Sequence, residues 1–191
     1  VGGGIPIIEP LKQSLGGNRI TKVSGIINGT TNYILSRMDK EGVNYSEVLK
    51  DAQALGYAES DPAADVEGSD AADKIAILSG LAFGGTINRA DIPTTGINLL
   101  EGKDVYYARK LGYGIKLLAI SEKGETQSNK ELSQPLSVWV EPTLVPKDNP
   151  LAGVNGVNNA ILVEGNPIGQ VMFFGPGAGS GPTASAVVAD I

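Results

Sequence analysis

The hydrophobic period changes partway along the chain, and that change limits the folds open to it. Through the first half, apolar residues recur every three or four positions: Ile8, Leu11 and Leu15, then Ile34, Leu35 and Met38, then Val48, Leu49, Ala52 and Leu55, then Ala71, Ile75, Leu78 and Ala82. Each set falls on one face of a helix. In the second half, short β-branched and aromatic runs bounded by Gly, Pro and Asn take over, as strands require. Helices first and antiparallel-looking strands second predict an α+β fold. At 191 residues the chain suits one domain, or at most two small ones.

Local signals refine the pattern. Pro6 opens a helix over residues 6–15 that Gly16-Gly17 stops. Residues 19–27 read as a strand running into Asn28-Gly29-Thr30-Thr31, where a threonine hydroxyl caps a helix ending near Gly42. Ser46 and Ser69 are the expected caps of two further helices, separated by an acidic, proline-interrupted loop over 57–68. A short helix near 103–111 leads into a strand over 113–120, and another strand occupies 136–140. Residues 157–164 and 168–174 flank Gly165-Asn166-Pro167 as a β-hairpin. The glycine run over 175–181 then precedes a helical start at Ala184.

Composition narrows the chemistry. With no His and no Cys, imidazole bases, thiol nucleophiles, disulfides and Cys or His metal sites are all excluded within this chain. Proton transfer falls to carboxylates, lysine, tyrosine or water. A net charge of −6 with 5% aromatic residues argues against a nucleic-acid surface. Apolar runs are far shorter than the roughly 20 residues of a membrane span, and no basic, apolar leader opens the chain. The start Val1-Gly2-Gly3-Gly4, without methionine, reads as an internal piece of a longer protein.

The densest titratable cluster is Glu59, Asp61, Asp65, Glu67 and Asp70, with Lys74 one helical turn beyond Asp70. The i,i+4 spacing puts Asp70 and Lys74 on one helix face. This pattern describes a solvated surface pair, worth a few tenths of a kcal/mol. It equally describes a lysine oriented by a carboxylate to exchange a proton with a substrate oxygen. A hard-cation site is a weaker third reading, because the acids lack the spacing of a calcium loop. The glycines over 175–181, after a strand and before a helix, suit an anion approaching backbone N–H groups, or a plain packing turn. Val1 to Pro6 reads as a tight turn, or as carbonyls that hold a monovalent cation.

Taken together, four segments resemble the homoserine dehydrogenase family: Val1-Gly2-Gly3-Gly4-Ile5-Pro6-Ile7-Ile8; Gly25-Ile26-Ile27-Asn28-Gly29-Thr30-Thr31-Asn32-Tyr33-Ile34-Leu35; Gly56-Tyr57-Ala58-Glu59-Ser60-Asp61-Pro62 with Asp65-Val66-Glu67-Gly68, Asp70 and Lys74; and Gly175-Pro176-Gly177-Ala178-Gly179 through Pro182-Thr183-Ala184. The resemblance implies NAD(P)-linked interconversion of L-homoserine and L-aspartate 4-semialdehyde. Lys74 would be the proton donor and acceptor, oriented by Asp70. Glu59 and Asp65 would hold the substrate amino group, while Gly29, Thr30 and Tyr57 line its pocket. Gly177, Ala178, Gly179 and Thr183 would face the cofactor, NADP or NAD. Carbonyls of Val1, Gly3 and Ile5 would hold Na+, with one further ligand upstream of Val1.

The resemblance also implies a single catalytic, substrate-binding and dimerisation domain over 1–191, with a mixed, largely antiparallel sheet and helices packed on one face. Sheets of two subunits would associate into a homodimer. The location implied is the cytoplasm, or the plastid in a plant. Most cofactor contacts would belong to a nucleotide domain preceding Val1, so the piece alone is expected to turn over little or no homoserine. The absence of cysteine excludes the neighbouring thiol route to the same aldehyde from an aspartyl phosphate. A non-catalytic oligomerisation or small-ligand-binding module is the alternative from another class.

Overall fold

The structure, a computed structural model, describes residues 1–124, 135–189 and 191. Five strands form one sheet in the order β3-β2-β1-β4-β5. They are β1 (Arg19–Ile26), β2 (Tyr113–Lys123), β3 (Leu136–Pro146), β4 (Asn158–Asn166) and β5 (Gly169–Pro176). Every neighbouring pair is antiparallel, so the expectation of a mixed sheet is corrected. Among the described residues, parallel pairing is confined to an isolated bridge between Thr94 and Val140. The connectivity explains this. The helical excursion after β1 returns to the same end of the sheet it left, so β2 runs back alongside β1. The short turn at Asn166-Pro167 folds β5 back on β4.

The excursion comprises α1 (Gly29–Glu41), α2 (Tyr45–Ala54), α3 (Ala63–Val66), α4 (Ser69–Phe83) and α5 (Gly102–Lys110). A final helix, α6 (Ser180–Ala189), follows β5. Ile34, Leu35 and Met38 of α1, Val48 of α2 and Ile75 and Leu78 of α4 join Val23, Leu117, Ala119, Val140, Ile161 and Val163 in one core. Fully burying each large aliphatic side chain there contributes roughly 1.5–3 kcal/mol. The opposite sheet face is apolar as well: Ile26, Leu118, Ile120, Ala160 and Leu162 are buried, with Leu151 and Val154 packed over one end. Met172 and Phe174, across from Leu162 and Ala160, stay 39% and 56% exposed. Central strands apolar on both faces explain the unbroken runs at 117–120 and 160–163. No helix among the described residues is long and apolar enough to cross a membrane.

Several local expectations are corrected. Over 10–14 the helix is a π turn, because Pro10 lacks an N–H and Leu15 N–H reaches back five residues to the Pro10 carbonyl at 2.8 Å. The cap of α1 is the Asn28 amide, which accepts from Thr31 N–H at 2.9 Å, rather than a threonine hydroxyl. Neither Ser46 nor Ser69 is a cap: the N-cap positions fall on Asn44 and Gly68, and the Ser69 hydroxyl donates back to the Ala64 carbonyl. The acidic loop contains the one-turn helix α3, entered where Asp61 accepts from Ala63 N–H.

Two features fix the elements that carry the polar clusters. The segment after α4 crosses the end of α3, where Ile97 N–H bonds the Val66 carbonyl at 2.8 Å. A Cβ on Gly96 would lie 2.1 Å from that carbonyl oxygen and 2.5 Å from the Glu67 Cα. Separately, the Lys116 ammonium of β2 is buried beneath the 154–158 segment and donates to the Val154 carbonyl, Asn32 Oδ1 and Asn155 Oδ1. Asn32, 1% exposed, donates in turn to the carbonyls of Val154, Gly156 and Asn158. Burial pushes the Lys116 pKa down from 10.5 to about 8, against the opposing pull of Asp39.

Two outcomes follow. Gly96→Ala should cost about 2 kcal/mol or more in urea unfolding, because both obstructing groups are backbone. For Lys116, the folded state binds fewer protons than the unfolded chain between about pH 8 and 10.5, so stability gains with rising pH across that window. The gain is about 3 kcal/mol at most. Unfolding free energies of the parent and of Lys116→Met, compared at pH 7.5 and 10.5, should differ by a pH-dependent amount of that sign. A constant difference would contradict the account.

Candidate active site

The polar cluster forms where β1 ends. Strand geometry carries Ile27 and Asn28 out of the sheet beneath the first turns of α4. Asp70 and Lys74 lie on the same face of α4, one turn apart, as the spacing predicts, and their side chains are 32% and 28% exposed. Lys74 Nζ donates to Asp70 Oδ2 at 2.6 Å and to the Ile27 carbonyl at 3.1 Å. Asn28 Nδ2 donates to Asp65 Oδ1 at 2.6 Å and to Asp70 Oδ2 at 2.9 Å. Two carboxylates, one ammonium and one amide thus converge from three elements. The lysine's second bond, to the main chain just past β1 and 47 positions away, is one that an isolated surface pair would lack.

The remaining substrate-side candidates surround this cluster. Gly29 and Thr30 occupy the first turn of α1, where backbone N–H groups lack helical partners. The Thr30 hydroxyl donates to the Tyr57 carbonyl at 2.7 Å, tying the loop after α2 to α1. The Tyr57 ring packs on Tyr33 with centroids 4.9 Å apart. Glu59 is exposed, and its backbone carbonyl is held by Gln53 Nε2 at 3.0 Å. Its carboxylate engages no other side chain among the described residues, so it is free to meet a cationic group.

The second set of candidates gathers around the glycine run. Val1, Gly3, Ile5 and Thr183 line one pocket of about 130 Å³. That space suits an ion with a few waters and is too small for a dinucleotide. Backbone carbonyls are hard donors appropriate to Na+, although Ile5 O already accepts from Ile7 N–H. Gly4 N–H bonds the Pro176 carbonyl, fastening this segment to the start of the glycine run. Gly179 O accepts from Thr183 N–H in the first turn of α6, while Ala178 and Gly179 are exposed. A Cβ on Gly177 would fall about 2.3 Å from the Asn159 carboxamide. That carboxamide is fully buried, and neither its oxygen nor its nitrogen has a hydrogen-bond partner. An unpaired polar floor beneath a glycine-rich loop fits the approach of a polar ligand such as a nucleotide cofactor.

Both sets occupy one end of the sheet. Ile26 pairs with Ala160 and Asn158 with Pro176, which brings the exit of β1, the entry of β4 and the exit of β5 together. Gly29 packs on Val157, where a Cβ would meet the carbonyl oxygen at 2.9 Å, and Gly177 packs on Asn159. Those two contact points are roughly 7 Å apart along the chain. Asn28 and Asn159 escaped the sequence reading. Asn28 carried only a turn-and-cap signal, since its acidic partners lie 37 and 42 positions away. Asn159 sat in a strand with no local sign of being unpaired.

Comparison with known proteins agrees with this geometry. A family model described as homoserine dehydrogenase matches residues 6–191. A Synechocystis homoserine dehydrogenase is 61% identical over the whole chain, which spans 43% of that relative. A crystal structure of a homoserine dehydrogenase from Thiobacillus denitrificans superposes with a TM-score of 0.94 at 49% identity, covering all of this chain and 42% of the other. A hyperthermophilic archaeal homoserine dehydrogenase mutant in complex with NADPH superposes at 0.80 with 33% identity, covering 100% and 52%. The chain therefore spans about two fifths to half the length of these relatives. With the family match over residues 6–191 and the fold in agreement, the chain belongs to the homoserine dehydrogenase family.

Proposed function

We propose that residues 1–191 form a single domain, the substrate-binding and proton-transfer part of an oxidoreductase that interconverts L-homoserine and L-aspartate 4-semialdehyde. The observation that carries this reading is the half-buried Lys74 ammonium, held by both Asp70 and the Ile27 carbonyl. An ammonium has three N–H donors. Two are committed, which leaves the third for a substrate oxygen. During reduction, Lys74 gives a proton to the aldehyde oxygen as that oxygen gains charge. During oxidation, the neutral amine removes the proton of the alcohol. Asp70 and Ile27 keep the nitrogen on one line of approach throughout.

Specificity for an amino acid follows from the surroundings. The free Glu59 carboxylate and Asp65 pair with the substrate ammonium. The first-turn N–H groups at Gly29 and Thr30 suit its carboxylate, and Tyr57 closes the side. NAD(P), when bound, accepts or supplies the hydride. Gly177, Ala178, Gly179 and Thr183 would hold it on this chain, over the unpaired Asn159 amide. The carbonyls of Val1, Gly3 and Ile5 would hold Na+. A second copy would cover the exposed apolar side chains Met172 and Phe174 of β5, giving a homodimer.

Two measurements test the proposal. In the full-length enzyme carrying this segment, Lys74→Met should lower kcat for homoserine oxidation by roughly 10²–10⁴-fold, with an unchanged far-UV circular dichroism spectrum. Near-normal turnover would remove Lys74 from the mechanism. Light scattering of the 191-residue chain should return about twice 19.7 kDa, and Met172→Lys or Phe174→Glu should return the monomer mass. A monomer in the parent chain would refute the dimer.

A further inference from the structure

We infer that Asn28 is a positioning residue for proton transfer: its carboxamide clamps Asp65 and Asp70 together and so fixes the carboxylate that aims Lys74. The inference rests on the reading of Lys74 as the group that exchanges the proton.

The orientation of the amide is determined by its neighbours. The Thr31 backbone N–H and hydroxyl lie 2.9 and 3.0 Å from Oδ1, and a backbone N–H can only donate. Nδ2 must then face the acids, where its two N–H groups match two acceptors: Asp65 Oδ1 at 2.6 Å and Asp70 Oδ2 at 2.9 Å. Asn28 is 6% exposed, so water does not compete freely for these bonds. Every donor and acceptor of the side chain is therefore committed.

Two carboxylates sharing one donor repel each other. A neutral amide with two N–H groups is a side chain that holds both acids without adding charge. Asp70 Oδ2 accepts from Asn28 and Lys74 together, so the amide fixes the oxygen on which the ammonium rests. The backbone carbonyl one residue earlier, at Ile27, holds the same ammonium directly. The end of β1 therefore grips both members of the α4 pair, Asp70 by a side chain and Lys74 by the main chain. Among the described residues the charge paired with Lys74 is Asp70 from its own helix, and Asp65 of α3 joins the cluster through Asn28. Asp73, also on α4, pairs instead with Arg89 at 3.1 Å, and β1 contributes only neutral groups here.

Capping and clamping are separable by substitution. Asn28→Asp keeps the shape and remains a strong helix cap, since a carboxylate oxygen can still accept from Thr31 N–H. It removes both N–H donors and adds a third negative charge. In the full-length enzyme it should lower kcat at least tenfold at the parent's optimum. It should also move the kcat profile for homoserine oxidation to higher pH, because added negative charge favours the ammonium over the amine. Asn28→Ser keeps a cap without the charge or the paired donor. It should lower kcat at least tenfold with no comparable move of the pH profile, and it decides the matter if the aspartate variant does not fold. A folded variant that keeps the parent's kcat and pH profile would overturn the inference, as would one that loses only thermal stability. Lys74→Met run alongside separates the two ideas. If that variant stays active, the Lys74 reading itself falls. If it is inactive while Asn28→Asp behaves as the parent, the clamp alone falls.

Discussion

β1 is hydrogen-bonded on both edges, to β2 and β4, and its last four residues are buried, so its C-terminal end is a well-anchored point in the molecule. The polar cluster is built from that point outward. Ile27 leaves the sheet with a free carbonyl that meets Lys74, Asn28 follows with a side chain that meets two acids, and Gly29 begins a helix. A proton-transfer group has to be held within a fraction of an ångström of its working position. Under the role proposed for Lys74, fastening it to the end of a central strand meets that demand: α4 carries the Asp70–Lys74 pair and the end of β1 holds both members.

Asn28, Asn32 and Asn159, at the same end of the sheet, differ in their degree of satisfaction. Asn28 spends its amide on two acids and a helix cap. Asn32, one turn later, spends its amide on three carbonyls of the 154–158 segment and accepts from Lys116. Asn159 has no partner at all, although it is fully buried. A satisfied buried network rigidifies its surroundings, whereas an unpaired amide costs on the order of 1–3 kcal/mol. Rigidity is thus concentrated under α1 and the acidic cluster. The cost is concentrated under the glycine run, where the chain offers its backbone to solvent. This division is the one the proposed function calls for, with the proposed acid–base group held in place and the glycine run opposite it left to receive a ligand.

The second apolar face of the sheet has a comparable logic. Strands β2 and β4 are apolar at consecutive positions, which alternation around a single core does not require. Leu151 and Val154 cover one end, and Met172 and Phe174 at the other are left in water. The exposed remainder is of the kind that a second copy of the chain would bury.

Much of this architecture was legible in order along the chain. Helical spacing located α1, α2 and α4, and the Asn-Pro turn located the β4–β5 hairpin, because each depends on interactions between residues a few positions apart. Asp70 and Lys74 were legible for the same reason, being separated by one helical turn. Caps were less legible: Ser46 and Ser69 offer the right hydroxyls, but the N-cap positions fall on Asn44 and Gly68. The strand order β3-β2-β1-β4-β5 depends on how segments close against distant partners, which no local pattern records.

The sequence by itself determined the menu: no imidazole, no thiol, one lysine a helical turn from an aspartate, and an acidic loop before it. Those are matters of composition and short-range spacing, and short-range spacing survives in any fold that keeps the helix. Only the tertiary structure decided which member of the menu acts as part of a site. It brought Asn28 to Asp65 and Asp70, laid the Ile27 carbonyl against Lys74, and placed Gly177 over an unpaired Asn159. These contacts join residues far apart in the chain, so they form only once the sheet and helices have closed around them.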